Sequence, residues 1–75
     1  MKFIEMTGSE LSEIVTEHEL TLADLEATGV NDHAIVRINQ QGDIEVRRTD
    51  RWDVVGGLIG NFSERIQKKL GRNWA

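Results

Sequence analysis

His18 and His33 are the only imidazoles in the sequence, and there is no cysteine. These are the side chains that most often hold transition metals or serve as nucleophile and base near neutral pH. Without cysteine neither a disulfide nor a thiolate zinc site can form, and two histidines alone predict no structural metal site. Both histidines read as surface or loop residues. Ser9 reads as a helix cap and Ser63 as an exposed helix residue. No nucleophile, base and orienting group stand at a spacing that would form a catalytic set, so no catalytic residue is assigned and the chain is not expected to be an enzyme. "VVGGLIGN", residues 54–61, holds a Gly-Gly-x-x-Gly run that raises the question of a phosphate loop. A Walker loop needs a Lys-Ser/Thr pair after its last glycine to reach phosphate and magnesium, and here Gly60 is followed by Asn61 and Phe62. The dinucleotide-binding spacing is also absent, so no cofactor is expected.

The remaining chemistry is that of recognition. Arg37, Arg47, Arg48 and Arg51, next to Trp52, could gather into a basic patch. Gly56 and Gly60 stand four residues apart beside an apolar stripe. Such a small-xxx-small face lets two backbones approach closely. Its first expected use is packing a helix onto a sheet within the chain; its second is a contact between subunits. These seven residues are the candidate interaction surface. The implied partner is another protein, or a second copy held through the C-terminal helix.

The elements that must position these residues belong to one small domain spanning residues 1–75. At this size a core supplies only about 3–5 kcal/mol, which favours a partner or an assembly. Hydrophobic residues make up 39% and charged residues 29%, as in ordinary globular chains. No apolar run is long enough to span a membrane, and "MKFIEMTGSE" lacks the apolar core of a secretory signal. Cytoplasm is the expected location. The net charge of −4 is unevenly placed: residues 1–33 hold one lysine against eight carboxylates, residues 34–75 eight cations against five. Either the basic half meets an acidic partner, or the two halves attract each other; the second is the simpler reading.

"KFIEM" predicts a strand over residues 2–6. Ser9 is the expected N-cap of a helix over "ELSEIVTEH", with Leu11, Ile14 and Val15 on its apolar face. Thr21 caps a second helix, "LADLEATG", with Leu22 and Leu25 inward and Gly29 as a left-handed terminator. "AIVRINQQGDIEVRR" predicts a hairpin whose loop is Gln40-Gln41-Gly42. That register sets Val36 against Val46, Ile38 against Ile44 and Arg37 against Glu45. Val55, Leu58, Ile59, Phe62, Ile66 and Leu70 follow helical spacing, which predicts one helix over residues 51–70 with Asp50 and Asp53 at its start and Gly71 at its end. The rival reading starts this helix at Asn61, where "NFSE" makes a capping box. The expected fold is α+β in the order β-α-α-β-β-α, a three-stranded antiparallel sheet covered by a C-terminal helix with Trp52 and Trp74 at its ends.

Residues 3–29, "FIEMTGSELSEIVTEHELTLADLEATG", resemble the start of a LysM module, with Gly8 in the turn, Leu11 and Ile14 in the first helix, Thr21 before the second and Leu25 within it. The resemblance implies a β-α-α-β core that binds N-acetylglucosamine polymers, with Gly8, Ser9 and Gly29 along the groove. Helix, helix and hairpin also resemble part of a winged-helix module, whose wing would bring the arginines to phosphates. Asp24 and Glu26 on the would-be recognition helix repel a nucleic acid. The expectation is therefore a non-enzymatic protein-interaction module, with a glycan binder and a nucleic-acid binder as alternatives.

Overall fold

The computed structural model describes residues 2–74, apart from the side chain of Leu22. Strand β1 (Phe3–Thr7) leads into helices α1 (Gly8–Ile14) and α2 (Leu22–Ala27). Strands β2 (Ile35–Asn39), β3 (Asp43–Arg47) and β4 (Trp52–Gly57) follow, and then helix α3 (Phe62–Leu70). The strands form one antiparallel sheet in the order β1-β2-β3-β4. The α+β class agrees with the sequence reading; the sheet has four strands where three were expected.

Alternation along the strands separates two faces. Ile4, Met6, Val36, Ile38, Ile44 and Val46 point one way and are at most 4% exposed. Leu11 and Ile14 of α1, Leu25 of α2 and Ile66 of α3 meet them in a single core. Helix α1 sits between β1 and β2 on one side and α3 on the other. Burying an aliphatic side chain of this kind contributes about 1.5–3 kcal/mol, so each of these contacts matters in a domain this small.

The hairpin has the expected register, with Val36 opposite Val46, Arg37 opposite Glu45 and Ile38 opposite Ile44. Its turn is closed by Asn39, whose Oδ1 accepts the N–H groups of Gln41 at 3.0 Å and Asp43 at 2.9 Å. Gly42 takes φ 94°, a left-handed value that a residue with a side chain rarely adopts.

The segment after the hairpin departs from the expected helix over residues 51–70. Trp52–Gly57 is a strand, and helix α3 begins only at Phe62. The apolar spacing of Val54, Val55, Leu58 and Ile59 suits either element at this length. Three glycines in a helix interior would cost about 1 kcal/mol each, whereas Val54 and Val55 suit a strand and the edge of β3 offers a ladder. The strand prevails. Gly56 and Gly60 therefore share no helix face: Gly56 lies in β4 and Gly60 turns the chain at φ 69°. Asp50 and Asp53 cap nothing, and Trp52 stands on β4 instead of a helix end. Asn61 occupies the N-cap of α3 without a side-chain hydrogen bond, so the "NFSE" box is not made either.

Two smaller departures lie nearer the N-terminus. Thr7, not Ser9, caps α1: its Oγ1 accepts the Glu10 N–H at 3.1 Å while Glu10 Oε1 accepts the Thr7 N–H at 2.9 Å. Helix α1 stops at Ile14 because Glu19 draws Thr16 N–H to its carboxylate at 2.9 Å and folds residues 16–19 into a turn. Thr21 caps α2 as expected, with Asp24 closing the box. Leu25 is buried as expected, while the inward placement expected of Leu22 concerns a side chain outside those described.

Candidate interaction surface

The second face of the sheet is built from the alternate residues: Phe3 and Glu5 on β1, Ile35 and Arg37 on β2, Glu45 and Arg47 on β3, Trp52 and Val54 on β4. None of these is buried in the core, because the helices pack through the opposite face. Ile35 is 38% exposed and Val54 61%.

Arg37 organises this face. Its guanidinium carbon lies 3.9 Å from the centre of the Phe3 ring and 4.2 Å from that of Trp52. The pleat accounts for the stack. Phe3 is opposite Asn39, two residues along from Arg37, and Trp52 is opposite Arg47, so both rings approach diagonally. Arg37 Nε and Nη2 donate to Glu45 Oε1 at 3.1 and 2.8 Å, which leaves the two side chains 24% and 12% exposed. A cation over an aromatic face is worth about 0.5–2 kcal/mol according to its desolvation. The stack is thus a fixed feature of the surface. A groove of about 440 Å³, bounded by Phe3, Glu5, Arg37, Arg72 and Asn73, continues it toward the C-terminal tail.

The other residues of the expected surface are scattered. Arg47 is exposed on the same face, opposite Trp52. Arg48 turns away, donating to Asp53 at 3.1 Å and to the Thr28 carbonyl at 2.8 Å. Arg51 stays at the β3–β4 turn beside Asp50. Gly56 faces Leu20, whose methyl carbons would lie 3.2–3.3 Å from an added Cβ, while one at Gly60 would meet nothing within 4 Å. The four arginines form no continuous basic patch.

A second depression of about 360 Å³ lies where α1 begins and α2 ends, between Gly8, Ser12, Leu25, Glu26, Asn31 and Asp32. Gly8 belongs there for want of space: an added Cβ would stand 1.9 Å from the Asn31 carbonyl oxygen. Ser9 ties the two walls by donating its N–H to Asp32 at 3.1 Å, but neither Ser9 nor Gly29 lines the depression. Gly29 follows the end of α2 at φ 77°.

The strongest polar cluster is one that the sequence did not single out. Glu19, its side chain 0% exposed, receives Arg65 Nη1 at 2.9 Å, Arg65 Nη2 at 2.6 Å and the Ile59 N–H at 2.6 Å. Arg65 also donates to the carbonyls of Ile14 and Ile59. Burial pushes the Glu19 carboxyl up, but the Arg65 hydrogen bonds and the N–H groups of Ile59 and Thr16 outweigh it and hold the group at about 2. The same pairing raises Arg65. Arg72 fastens the tail in a similar way, through Glu10 at 2.8 Å and the Glu5 carbonyl at 3.0 Å. It is the main cause that lowers the Glu10 pKa, with the Thr7 N–H second. Both pairs join the acidic first half to the basic second half, and charge asymmetry was the only signal in the sequence for them. Among the described residues no three His, Asp or Glu side chains gather as a metal site would require. No described helix is long and apolar enough to cross a membrane.

No protein-family model, curated protein sequence or solved structure matches this chain.

Proposed function

We propose that this chain is a non-enzymatic protein-interaction module whose contact surface is the open face of the sheet. The observation that carries this reading is the Phe3–Arg37–Trp52 stack, flanked by exposed Ile35 and Val54, on a face that the helices leave uncovered. Rigid aromatic and arginine groups amid aliphatic ones are the composition of binding hot spots. The charge balance favours a protein partner. Arg37 and Arg47 share the face with Glu5, Asp43 and Glu45, so no positive field exists to hold a phosphate backbone. The ring surfaces turned toward Arg37 are already occupied, which removes them as stacking platforms for bases. The partner is a protein surface with an apolar centre, met in the cytoplasm.

The test is capture from the native cell with the chain as bait, followed by mass spectrometry, on parent, Ile35→Lys and Lys68→Glu. Proteins held by the parent and by the Lys68→Glu control, and lost by Ile35→Lys at unchanged melting temperature, support the open face. An unchanged set on the Ile35→Lys bait rules it out.

A glycan reading rests on a different observation. The depression between Gly8 and Asn31–Asp32 is where the LysM resemblance would put a sugar, and residues 3–39 follow the β-α-α-β order that it implies. Chitin oligomers titrated into the labelled chain would then shift the amide signals of Gly8, Ser12 and Asn31 saturably. Absence of such shifts removes the reading.

A further inference from the structure

Helix α1 packs against β1, β2 and α3 and makes no contact of that extent with α2, so a groove is left between the two helices. The depression beside Gly8 is one end of it. A further depression, of about 440 Å³, lies between Ser12, Val15, Glu17, Leu20, Thr21 and Ala23, and Ser12 is a wall of both. Gly8, Ser12 and Val15 stand four and three residues apart, which puts them on one side of α1 along about 10 Å of its length. The lining is apolar in the middle, with Val15, Leu20, Ala23 and Leu25. Its ends are acidic: Glu17 stands at one, Glu26 and Asp32 at the other. Among the described residues none of these three carboxylates is in an ion pair. Residues 8–33 contain no lysine or arginine. The arginines that reach this half from elsewhere are already held, Arg65 by Glu19, Arg72 by Glu10, and Arg48 by Asp53 and the Thr28 carbonyl. The attraction between the two halves of the chain therefore leaves the groove uncompensated.

We propose that this groove docks a basic segment of a partner protein, in extended form, with one aliphatic side chain between two cations. The occupant follows from charge and spacing. An apolar trough alone takes any aliphatic group. Carboxylates at both ends select one flanked by positive charges, and they repel acidic chains and nucleic acid. In an extended chain alternate residues face the same way at about 3.3 Å per residue. Cations two positions to either side of the aliphatic residue are then about 13 Å apart. That distance spans the trough between Gly8 and Val15 and brings one cation to Glu17 and the other to Glu26 and Asp32. The aliphatic side chain falls midway, beside Ser12, where the groove has its shortest wall side chain after Gly8 and Ala23.

This docking goes beyond the role of the open face and fails separately from it. The probe is the peptide Lys-Thr-Leu-Thr-Lys, blocked at both ends and titrated to millimolar concentration into the isotope-labelled chain. The amide signals of Ser12, Val15, Ala23 and Asn31 should shift saturably, while those of Arg37 and Val54 on the open face stay in place. Affinity should fall about fivefold in a double variant, Glu17→Gln with Glu26→Gln, that melts as the parent does. It should fall by a similar factor as salt is raised from about 0.05 to 0.5 M. A peptide with serine in place of leucine should bind several-fold more weakly, because the apolar part of the groove then stays empty. Ile35→Lys should leave peptide binding unchanged, which separates the groove from the open face. The proposal is overturned by a leucine peptide that shifts no groove signal saturably, by a serine peptide that binds as tightly, or by a double variant that binds like the parent. Chitin oligomers that move the groove signals while the peptide leaves them in place would give the groove to a sugar instead.

Discussion

Arg65 and Arg37 have side chains of nearly equal exposure, 22% and 24%, and each is paired with a shielded glutamate. Their positions in the architecture are opposite. Arg65 ties α3 to the end of α1 and to the α1–α2 connection, through partners 51 and 46 residues away in sequence, and to Ile59 just after β4, six residues away. Arg37 bonds only to its neighbour across the hairpin, eight residues on, and lies between two rings on an open face. The first adds a charged tie between segments that otherwise meet through core packing and the Ile59 N–H bond to Glu19; the second shapes a surface whose backbone ladder already holds it. An equal burial of charge can therefore carry a structural latch in one place and a recognition feature in another.

Breaking the latch should have the largest effect. Arg65→Met leaves the shielded Glu19 carboxylate with only the Ile59 and Thr16 N–H groups and the Thr16 hydroxyl as partners, a change of the kind that costs about 3–5 kcal/mol. Urea unfolding followed by circular dichroism at pH 7 should show most or all of the folding transition lost. A variant within about 1 kcal/mol of the parent would mean that the Ile59 and Thr16 N–H groups suffice for the carboxylate.

Acid should act on the same latch. The Glu19 carboxyl titrates at about 2 in the folded chain against an ordinary 4.5, so its stabilisation is complete above about 4.5 and is lost as pH falls toward 2. That depression corresponds to about 3 kcal/mol. Glu19→Gln should flatten the stability profile between those two values, and a variant that keeps the parent's acid slope would transfer the effect to other carboxylates.

The hairpin under the stack depends on its turn. Gly42→Val forces a β-branched residue to φ 94°, where its Cβ would also lie 2.6 Å from the Leu58 carbonyl oxygen. Strain and crowding together should cost about 3 kcal/mol, or a fall in melting temperature of roughly 4–8 °C for each of them. Coincident melts would break the assignment of the turn.

The same division into local and distant partners explains what could be read from the sequence. Asn39, Gly42 and the alternation of Val36, Ile38, Ile44 and Val46 fix the hairpin within a dozen residues, and its register was legible in full. Thr21 marked the start of α2 in the same way, and Asp24 completes its cap in the structure. Trp52–Gly57 was misread because its apolar spacing fits a helix as well as a strand, and the element that decides between them, the free edge of β3, belongs to another segment. Of the candidate surface, Arg37, Arg47 and Trp52 were named from sequence, but as parts of a basic patch. Phe3 was missed, since its ring meets Arg37 only through the β1–β2 pairing across a connection of 27 residues, 8–34. Glu19 was one acidic residue among eight until α3 brought Arg65 to it.

The smallest effect expected is on the Arg37 side of the comparison, and it is the sharpest check on it. Arg37→Met keeps an unbranched, polarisable chain between Phe3 and Trp52, so much of the contact survives without the charge. Glu45 loses its partner but is 12% exposed at the sheet surface, where water can approach it. The expected cost is about 1 kcal/mol, well under half that of Arg65→Met. A cycle with Glu45→Gln should give a coupling of about 0.5–1 kcal/mol that weakens as salt is raised. Trp52 fluorescence should change even though the fold is kept, because the cation leaves its ring face. Capture of partners by the Arg37→Met bait should fall with it. A loss of stability matching that of Arg65→Met would break the comparison, since it would make the stack a second latch. Unchanged capture at unchanged stability would instead move the contact surface away from the stack, toward Ile35 and Val54 alone.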